Sequence, residues 1–198
     1  MDYRVLVTLI VGAVLVNNYI LRQFLGVCPF LGVSKDMKGA VGMSAAIIFV
    51  MILATAVTWP IQRYLLDRNG LGFLQTIVFI LEIATLVQIV EIILKKFIPS
   101  LYKILGIYLP LMTTNCAIFA VTIVNIKNEY SYIEALVNAF GSGLGFLLGM
   151  VIFSGIREYT ENTDPPKAFK GLPITLISAA LLSFSFFGFN GVIENMFR

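Results

Sequence analysis

Two cysteines are the residues of this chain whose type and placement point most directly to chemistry. Cys28 and Cys116 are the only cysteines among 198 residues, and the chain contains no histidine. Each lies in a long apolar stretch beside residues that bend or interrupt helices: Gly26 and Pro29 flank the first, and Asn115 precedes the second. Two thiols at matching interruptions predict half of a metal site.

The cysteines also have simpler interpretations. Free cysteine often behaves as a small apolar side chain in a protein core. A disulfide is the second alternative, although nothing in the sequence calls for one in a dry core. Zinc and iron-sulfur centres usually take four ligands, so two thiols in a chain without histidine require a second chain to complete a metal site. Half-helix N-termini and backbone N–H groups near Gly26, Gly32 and Thr114 are expected to balance the negative charge of such a centre.

The composition predicts an integral membrane protein. Hydrophobic residues make up 59% of the chain and charged residues 13%, and the mean hydropathy is +0.92. A transmembrane helix needs about 20 mostly apolar residues. Six segments have that length: 5–33, 40–59, 72–94, 104–126, 133–156 and 174–192. The first is too long and weakly charged for a cleavable signal, so we expect it to remain as the first helix.

The basic residues follow a membrane pattern and form no nucleic-acid-binding patch. Eight of them lie in the connections after spans 1, 3 and 5, and five lie on the opposite side. The positive-inside rule therefore places both termini outside the cytoplasm. Because all connections are short, soluble partner domains and cofactors must come from other chains.

The spans divide into two sets of three within a single membrane domain, 1–198. The pseudo-repeats are 1–97 and 98–198, and an odd number of spans requires the second to be inverted relative to the first. Spans 1 and 4 are expected to break near the midplane, at Gly26, Pro29 and Gly32 and at 110–115. Glycines in span 2 (Gly39 and Gly42) and in span 5 predict close helix packing, although glycine is common in membrane helices generally.

Few charged residues lie inside the spans, and burying them in a membrane is costly. Glu91 follows Gln88 by three residues, so both project from one face of span 3. Glu91 is either part of an ion pathway or an interfacial anchor near Lys95. The roles of Arg22 and Glu82 stay open, although Glu82 is too central to reach the interface easily.

No motif for a complete active site is present. The run 141–145 (GSGLG) resembles a dinucleotide fingerprint, but no strand precedes it, which favours a packing role.

Several runs together resemble a known family. They are 16–19 (VNNY), 25–35 (LGVCPFLGVSK), 87–91 (VQIVE), 105–111 (LGIYLPL), 114–117 (TNCA) and 155–158 (GIRE). The chain is similar over nearly its whole length to the family that comprises the A and E subunits of the Rnf complex and the D and E subunits of the sodium-pumping NADH:quinone oxidoreductase. The first two runs are most similar to the A subunits of Rnf complexes.

The resemblance implies an all-α fold of six helices in inverted three-helix repeats, with helices 1 and 4 broken. It implies that Cys28 and Cys116, with Gly26 and Asn115 beside them, hold a [2Fe-2S] cluster shared with two cysteines of a paralogous six-helix subunit. It further implies a non-autonomous translocase subunit in the bacterial inner membrane. The complex would transfer electrons between ferredoxin and NAD and move sodium or protons, with flavins, further iron-sulfur clusters and the NAD site on other subunits.

Two other classes of function remain open. A non-redox transporter half would use its broken helices to bind a solute or ion, with the cysteines as packing residues. A membrane scaffold for a larger assembly is the third alternative. The sequence does not distinguish sodium from protons or give the direction of electron flow.

Overall fold

The protein is all-helical in the part of the chain that the computed structural model describes. That part comprises residues 3–16, 18–19, 23, 25–27, 37–70, 72–97, 115–161, 166 and 169–188. Its main helices are α1 (Tyr3–Val11), α2 (Met37–Ile61), α3 (Gln75–Phe97), α4 (Cys116–Lys127), α5 (Tyr132–Glu161) and α6 (Leu172–Phe187). The all-α fold class is therefore confirmed for the described residues.

Within the described residues, three stretches are long and apolar enough to cross a membrane. They are 39–66, 72–93 and 132–160, which include most of α2, α3 and α5 respectively. In lipid, a helix satisfies its own backbone N–H and C=O groups, which explains why these apolar runs are helical. The described parts of α4 and α6 are apolar but shorter, with 12 and 16 residues. The arrangement of six spans in inverted repeats stays a prediction.

Helix α2 continues beyond the predicted end of its span at residue 59. Proline lacks an N–H and its ring crowds the preceding turn, so Pro60 predicts a helix end or a kink. The chain instead passes through Pro60 and widens into a π-helical turn, Gln62–Leu66. One further α-helical turn ends at Gly70, whose φ of 66° suits the left-handed conformation at a helix C-terminus.

The glycine-rich run of α5 serves helix packing. A Cβ atom at Gly143 would lie 2.7 Å from Cγ1 of Ile48 on α2, and one at Gly141 would lie 3.1 Å from Cβ of Ala13. The packing interpretation of this run is confirmed. It does not hold for Gly42, where a Cβ would meet nothing within 4 Å among the described residues.

The core lies where α2, α4 and α5 meet. Large side chains from these helices are almost completely buried there, including Met43, Ile47, Met51, Ile118, Val121, Phe146, Met150 and Phe153. Tight packing of such side chains fixes the position of α4 against its neighbours. The first residue of α4 is Cys116.

The chain after α1 is irregular where the structure describes it. A π-helical turn, Gly12–Val16, follows α1, and Asn18 and Tyr19 are not helical. The Asn18 side chain donates to the carbonyl oxygen of Gly145 at 2.8 Å, and the Leu25 N–H donates to the Tyr19 carbonyl at 2.9 Å. The first of these bonds holds the irregular backbone against α5, and the second closes a turn within that backbone. Pro29, Gly32 and the predicted break at 110–114 lie outside the described residues.

Candidate functional site

Asn115 and Cys116 form the N-terminus of α4. Asn115 has an extended backbone and caps the helix, and its Oδ1 accepts the N–H of Ala117 at 3.0 Å. Asparagine is among the residues preferred at this position because its side chain satisfies a backbone donor that the helix leaves free. The residue is 3% exposed. Cys116 is therefore held at the start of a helix whose capping residue is buried.

The backbone of Gly26 contacts the thiol of Cys116. The Gly26 N–H donates to Sγ of Cys116 at 2.9 Å across 90 residues of sequence. Gly26 has a φ of 84°, which directs its N–H toward the sulfur. That backbone conformation is strained for every residue with a Cβ. A Cβ there would also lie 3.1 Å from Cε2 of Phe146 and 3.2 Å from Cβ of Ala117. The position thus requires glycine both for conformation and for space.

The arrangement suits a sulfur atom that carries negative charge. A hydrogen bond from a backbone N–H and the positive end of a helix dipole are both favourable neighbours for the negatively charged sulfur of a metal-bound cysteine. Nδ2 of Asn115 is buried nearby on the same cap and has no hydrogen-bond partner in the described part of the chain. Thiolates are ligands for iron-sulfur centres, and N–H donors to the sulfur tune them. The donor set around Cys116 therefore fits such a centre.

The structure brings three of the predicted site residues together: Gly26, Asn115 and Cys116. Cys28 lies outside the described residues, so the distance between the two thiols is not defined. Within the described ranges, no group of three or more His, Cys, Asp or Glu side chains is placed to hold a metal ion.

Gln88 and Glu91 lie in the second half of α3, ahead of the exposed Lys95 and Lys96. Gln88 is exposed and Glu91 is half-buried. The ion-pathway and interfacial-anchor interpretations of Glu91 both stay open.

A second polar site lies near the other end of α4, and sequence reasoning noted only Glu82 from it. Oε1 of Glu82 on α3 is 3.3 Å from Oγ1 of Thr58 on α2. Thr58 also lines a narrow cleft between α2 and α4. Its other lining residues are Thr55, Trp59, Thr122, Asn125 and Ile126. The sequence signal for this site was the spacing of Thr55, Thr58 and Gln62 on one face of an apolar helix.

The asparagines beside this cleft are fixed by hydrogen bonds. Asn125 accepts from Nδ2 of Asn138 at 2.7 Å and donates to the Ala135 carbonyl at 3.3 Å. All of these groups are polar and buried between apolar helices, where a polar group is costly unless it is bonded. Their hydrogen bonds orient the wall of the cleft that α4 supplies.

Comparison with known proteins gives consistent results along the chain. Residues 6–193 match a family model described as "Rnf-Nqr subunit, membrane protein". The A subunit of the Na(+)-translocating ferredoxin:NAD(+) oxidoreductase complex of Acetobacterium woodii is 54% identical over 94% of this chain and 97% of that protein. The A subunits of the ion-translocating oxidoreductase complexes of Syntrophotalea carbinolica and Azotobacter vinelandii are 50% and 48% identical, with at least 95% of each chain covered.

The family model spans almost the whole chain, and these relatives exceed 45% identity at nearly full coverage. The apolar helices described above agree with a multi-pass membrane protein. The runs that carry both cysteines, which suggested the resemblance, lie within the matched residues. This chain belongs to the Rnf-Nqr family of membrane subunits.

Proposed function

We propose that this chain is a membrane subunit of an Rnf-type complex that couples electron transfer between ferredoxin and NAD to the movement of sodium or protons. Its relatives of up to 54% identity are named as the A subunits of ion-translocating oxidoreductase complexes. Within the complex, Cys28 and Cys116 are two of four thiolate ligands of a [2Fe-2S] cluster. A paralogous six-helix subunit supplies the other two cysteines.

One observation carries this proposal: the Gly26 N–H donates to Sγ of Cys116 at 2.9 Å. A passive packing cysteine has no need for a glycine held at φ 84° to aim an N–H at its sulfur. When bound, the cluster supplies one-electron transfer. The residues of this chain hold a thiolate at the N-terminus of α4 and donate a hydrogen bond to it, and Phe146 and Ala117 pack beside the donor residue, Gly26.

The proposed function also implies a topology and a location for this membrane protein. Six spans in two inverted three-helix repeats, with both termini outside the cytoplasm, place Cys28 and Cys116 near the midplane of a bacterial inner membrane. The flavins, further iron-sulfur clusters and the NAD site belong to other subunits, because no motif for them occurs in this chain. Asn115 and Gly26 position the ligand sulfur, and Glu91 with Gln88 lies on an ion route along α3.

The competing function is a non-redox transporter half with packing cysteines. It explains the apolar helices and the irregular backbone after α1 equally well. It does not explain why the irregular backbone at Gly26 meets the sulfur of Cys116. The redox function is therefore the better supported of the two.

The test is iron analysis and electron paramagnetic resonance spectroscopy of the purified, assembled complex. Cys28→Ser and Cys116→Ser should each remove or distort one [2Fe-2S] signal, because serine does not replace a thiolate without altering such a centre. The double variant should be no worse than either single variant, since both break one unit.

Ala120→Ser is the matched control, since it adds a hydroxyl to α4 about one turn beyond Cys116. It should leave iron content and spectra unchanged. A double-serine complex with full iron content and wild-type spectra would show that the cysteines are packing residues and would refute the redox function.

A further inference from the structure

Glu82 is an intramembrane carboxylate with no hydrogen-bond donor among the described residues other than one shared hydroxyl. It lies on α3 inside the apolar stretch 72–93. Its Oε2 is buried and has no hydrogen-bond partner among the described residues, and its Oε1 is 3.3 Å from Oγ1 of Thr58. A carboxylate in this setting is costly unless a positive group or a donor compensates it.

Thr58 does not supply the missing donor. Its Oγ1 is 2.6 Å from the carbonyl oxygen of Ala54, much closer than to Glu82. A hydroxyl has one proton, which goes to the shorter and better bond. Thr58 therefore turns a lone pair toward Glu82. Two oxygens that face each other without a proton between them need a cation or an additional proton.

The cleft beside Thr58 offers further oxygen atoms. Thr55 is 2% exposed, and its Oγ1 is buried without a hydrogen-bond partner in the described part of the chain. The Thr122 hydroxyl donates to the Phe119 carbonyl at 2.8 Å, which leaves its lone pairs free. Asn125 is held in place by Asn138. The wall of the cleft thus presents hydroxyl oxygens with lone pairs available to a cation. Their protons either donate to other groups or can rotate away from the cation.

We propose that Glu82, Thr58 and Thr55 form a binding site for a dehydrated sodium ion between α2, α3 and α4. Oxygen atoms are the ligands that hard cations prefer. One carboxylate neutralises one monovalent charge, whereas a divalent ion would leave a net charge in the membrane. A proton alone would satisfy Glu82 and Thr58 but would leave the Thr55 hydroxyl unpaired. The site deepens the proposed function and rests on its ion-translocating part.

The geometry separates this site from Glu91. Glu82 and Glu91 are nine residues apart on α3, about two and a half turns, so their side chains leave opposite sides of the helix. Ile83 and Val87, which are buried, occupy the face between them. The sodium site therefore belongs to the junction with α2 and α4, and Glu91 is not one of its ligands.

The experiment measures sodium binding to the purified complex by ²³Na nuclear magnetic resonance and by ²²Na retention, with iron content determined on the same samples. Glu82→Gln should raise the sodium dissociation constant by roughly tenfold or more, because the ion loses its only charged ligand. Thr55→Val should weaken binding several-fold. The same variant should raise the thermal midpoint of sodium-free complex, because it removes an unpaired buried hydroxyl.

Glu129→Gln and Thr85→Val are the matched controls. Glu129 is an exposed carboxylate between α4 and α5, and Thr85 is an exposed threonine on α3 whose hydroxyl bonds its own helix. Both should bind sodium as the wild type does. Unchanged sodium binding in Glu82→Gln, or a protonated-carboxyl infrared band of Glu82 that persists at saturating sodium, would overturn the site. If Glu82→Gln weakens sodium binding but Cys116→Ser leaves the iron content unchanged, the cluster is refuted and the sodium site is still supported.

Discussion

The two ends of α4 carry opposite kinds of polar group. At its N-terminus, the Gly26 N–H donates to the sulfur of Cys116, and Asn115 caps the helix. Toward its C-terminus, Thr122 and Asn125 face the hydroxyls of Thr55 and Thr58 across a cleft. These positions lie six and nine residues beyond Cys116, about 9 and 14 Å along the axis at about 1.5 Å per residue.

The difference follows the electrostatics of a helix. The N-terminal end of a helix carries partial positive charge and favours anions, whereas the C-terminal end favours cations. Donors gathered at one end therefore suit a thiolate-bound centre, and oxygen lone pairs gathered near the other suit a sodium ion. Under the proposed function, this one short helix would bring an electron carrier and an ion close together without shared ligands. Variants at either end should therefore be separable.

The largest effect on folding is expected from Gly26→Ala. The positive φ costs about 1–2 kcal/mol with a Cβ present, and the contacts at 3.1–3.3 Å add overpacking of about 1–3 kcal/mol. Displacement of the N–H should also make the midpoint potential of the cluster more negative, because one donor to the sulfur is lost. The measurements are thermal unfolding and a redox titration of the complex.

Gly70→Ala is the control for Gly26→Ala. Gly70 also has a positive φ, 66°, but a Cβ there would meet nothing within 4 Å among the described residues. Gly70→Ala should show only the conformational cost in stability and no change in the midpoint potential of the cluster. Equal potentials in the Gly26→Ala and wild-type complexes would mean that the Gly26 N–H does not act on the cluster.

Asn115→Ala should have an intermediate effect. Loss of the cap on Ala117 costs about 0.5–2 kcal/mol. Asn115→Ser keeps a capping oxygen, so it should recover most of this stability. Thermal unfolding of the two variants checks the prediction. A serine variant as unstable as the alanine variant would show that the cap on Ala117 is not what stabilises the helix start.

The smallest effect on stability is expected from Glu91→Gln, within about 0.5 kcal/mol, since Glu91 is only half-buried. The variant should nevertheless lower sodium or proton transport in vesicles while the complex assembles and keeps its iron. Unchanged transport would reduce Glu91 to an interfacial anchor. Sodium binding at equilibrium should stay as in the wild type, which distinguishes Glu91 from Glu82.

The sequence predicted the helical class because that class depends on local patterns, and it singled out Cys116 as a candidate ligand for the same reason. Apolar runs and isolated thiols are visible in the printed chain. It did not predict the passage of α2 through Pro60, because the tertiary packing and the π-helical turn that accommodate the proline are not local properties. It also missed Thr55, Thr58, Thr122 and Asn125, because threonine and asparagine are common in membrane helices and only the fold brings these four together.

The most direct test of the contrast between the two ends of α4 is to measure iron and bound sodium in the same preparations of the Cys116→Ser and Glu82→Gln complexes. Cys116→Ser should lose the [2Fe-2S] signal and retain sodium binding at equilibrium. Glu82→Gln should retain iron and lose high-affinity sodium binding. Full iron content and an unaltered spectrum in the Cys116→Ser complex would contradict the central claim, that the N-terminus of α4 holds a cluster ligand.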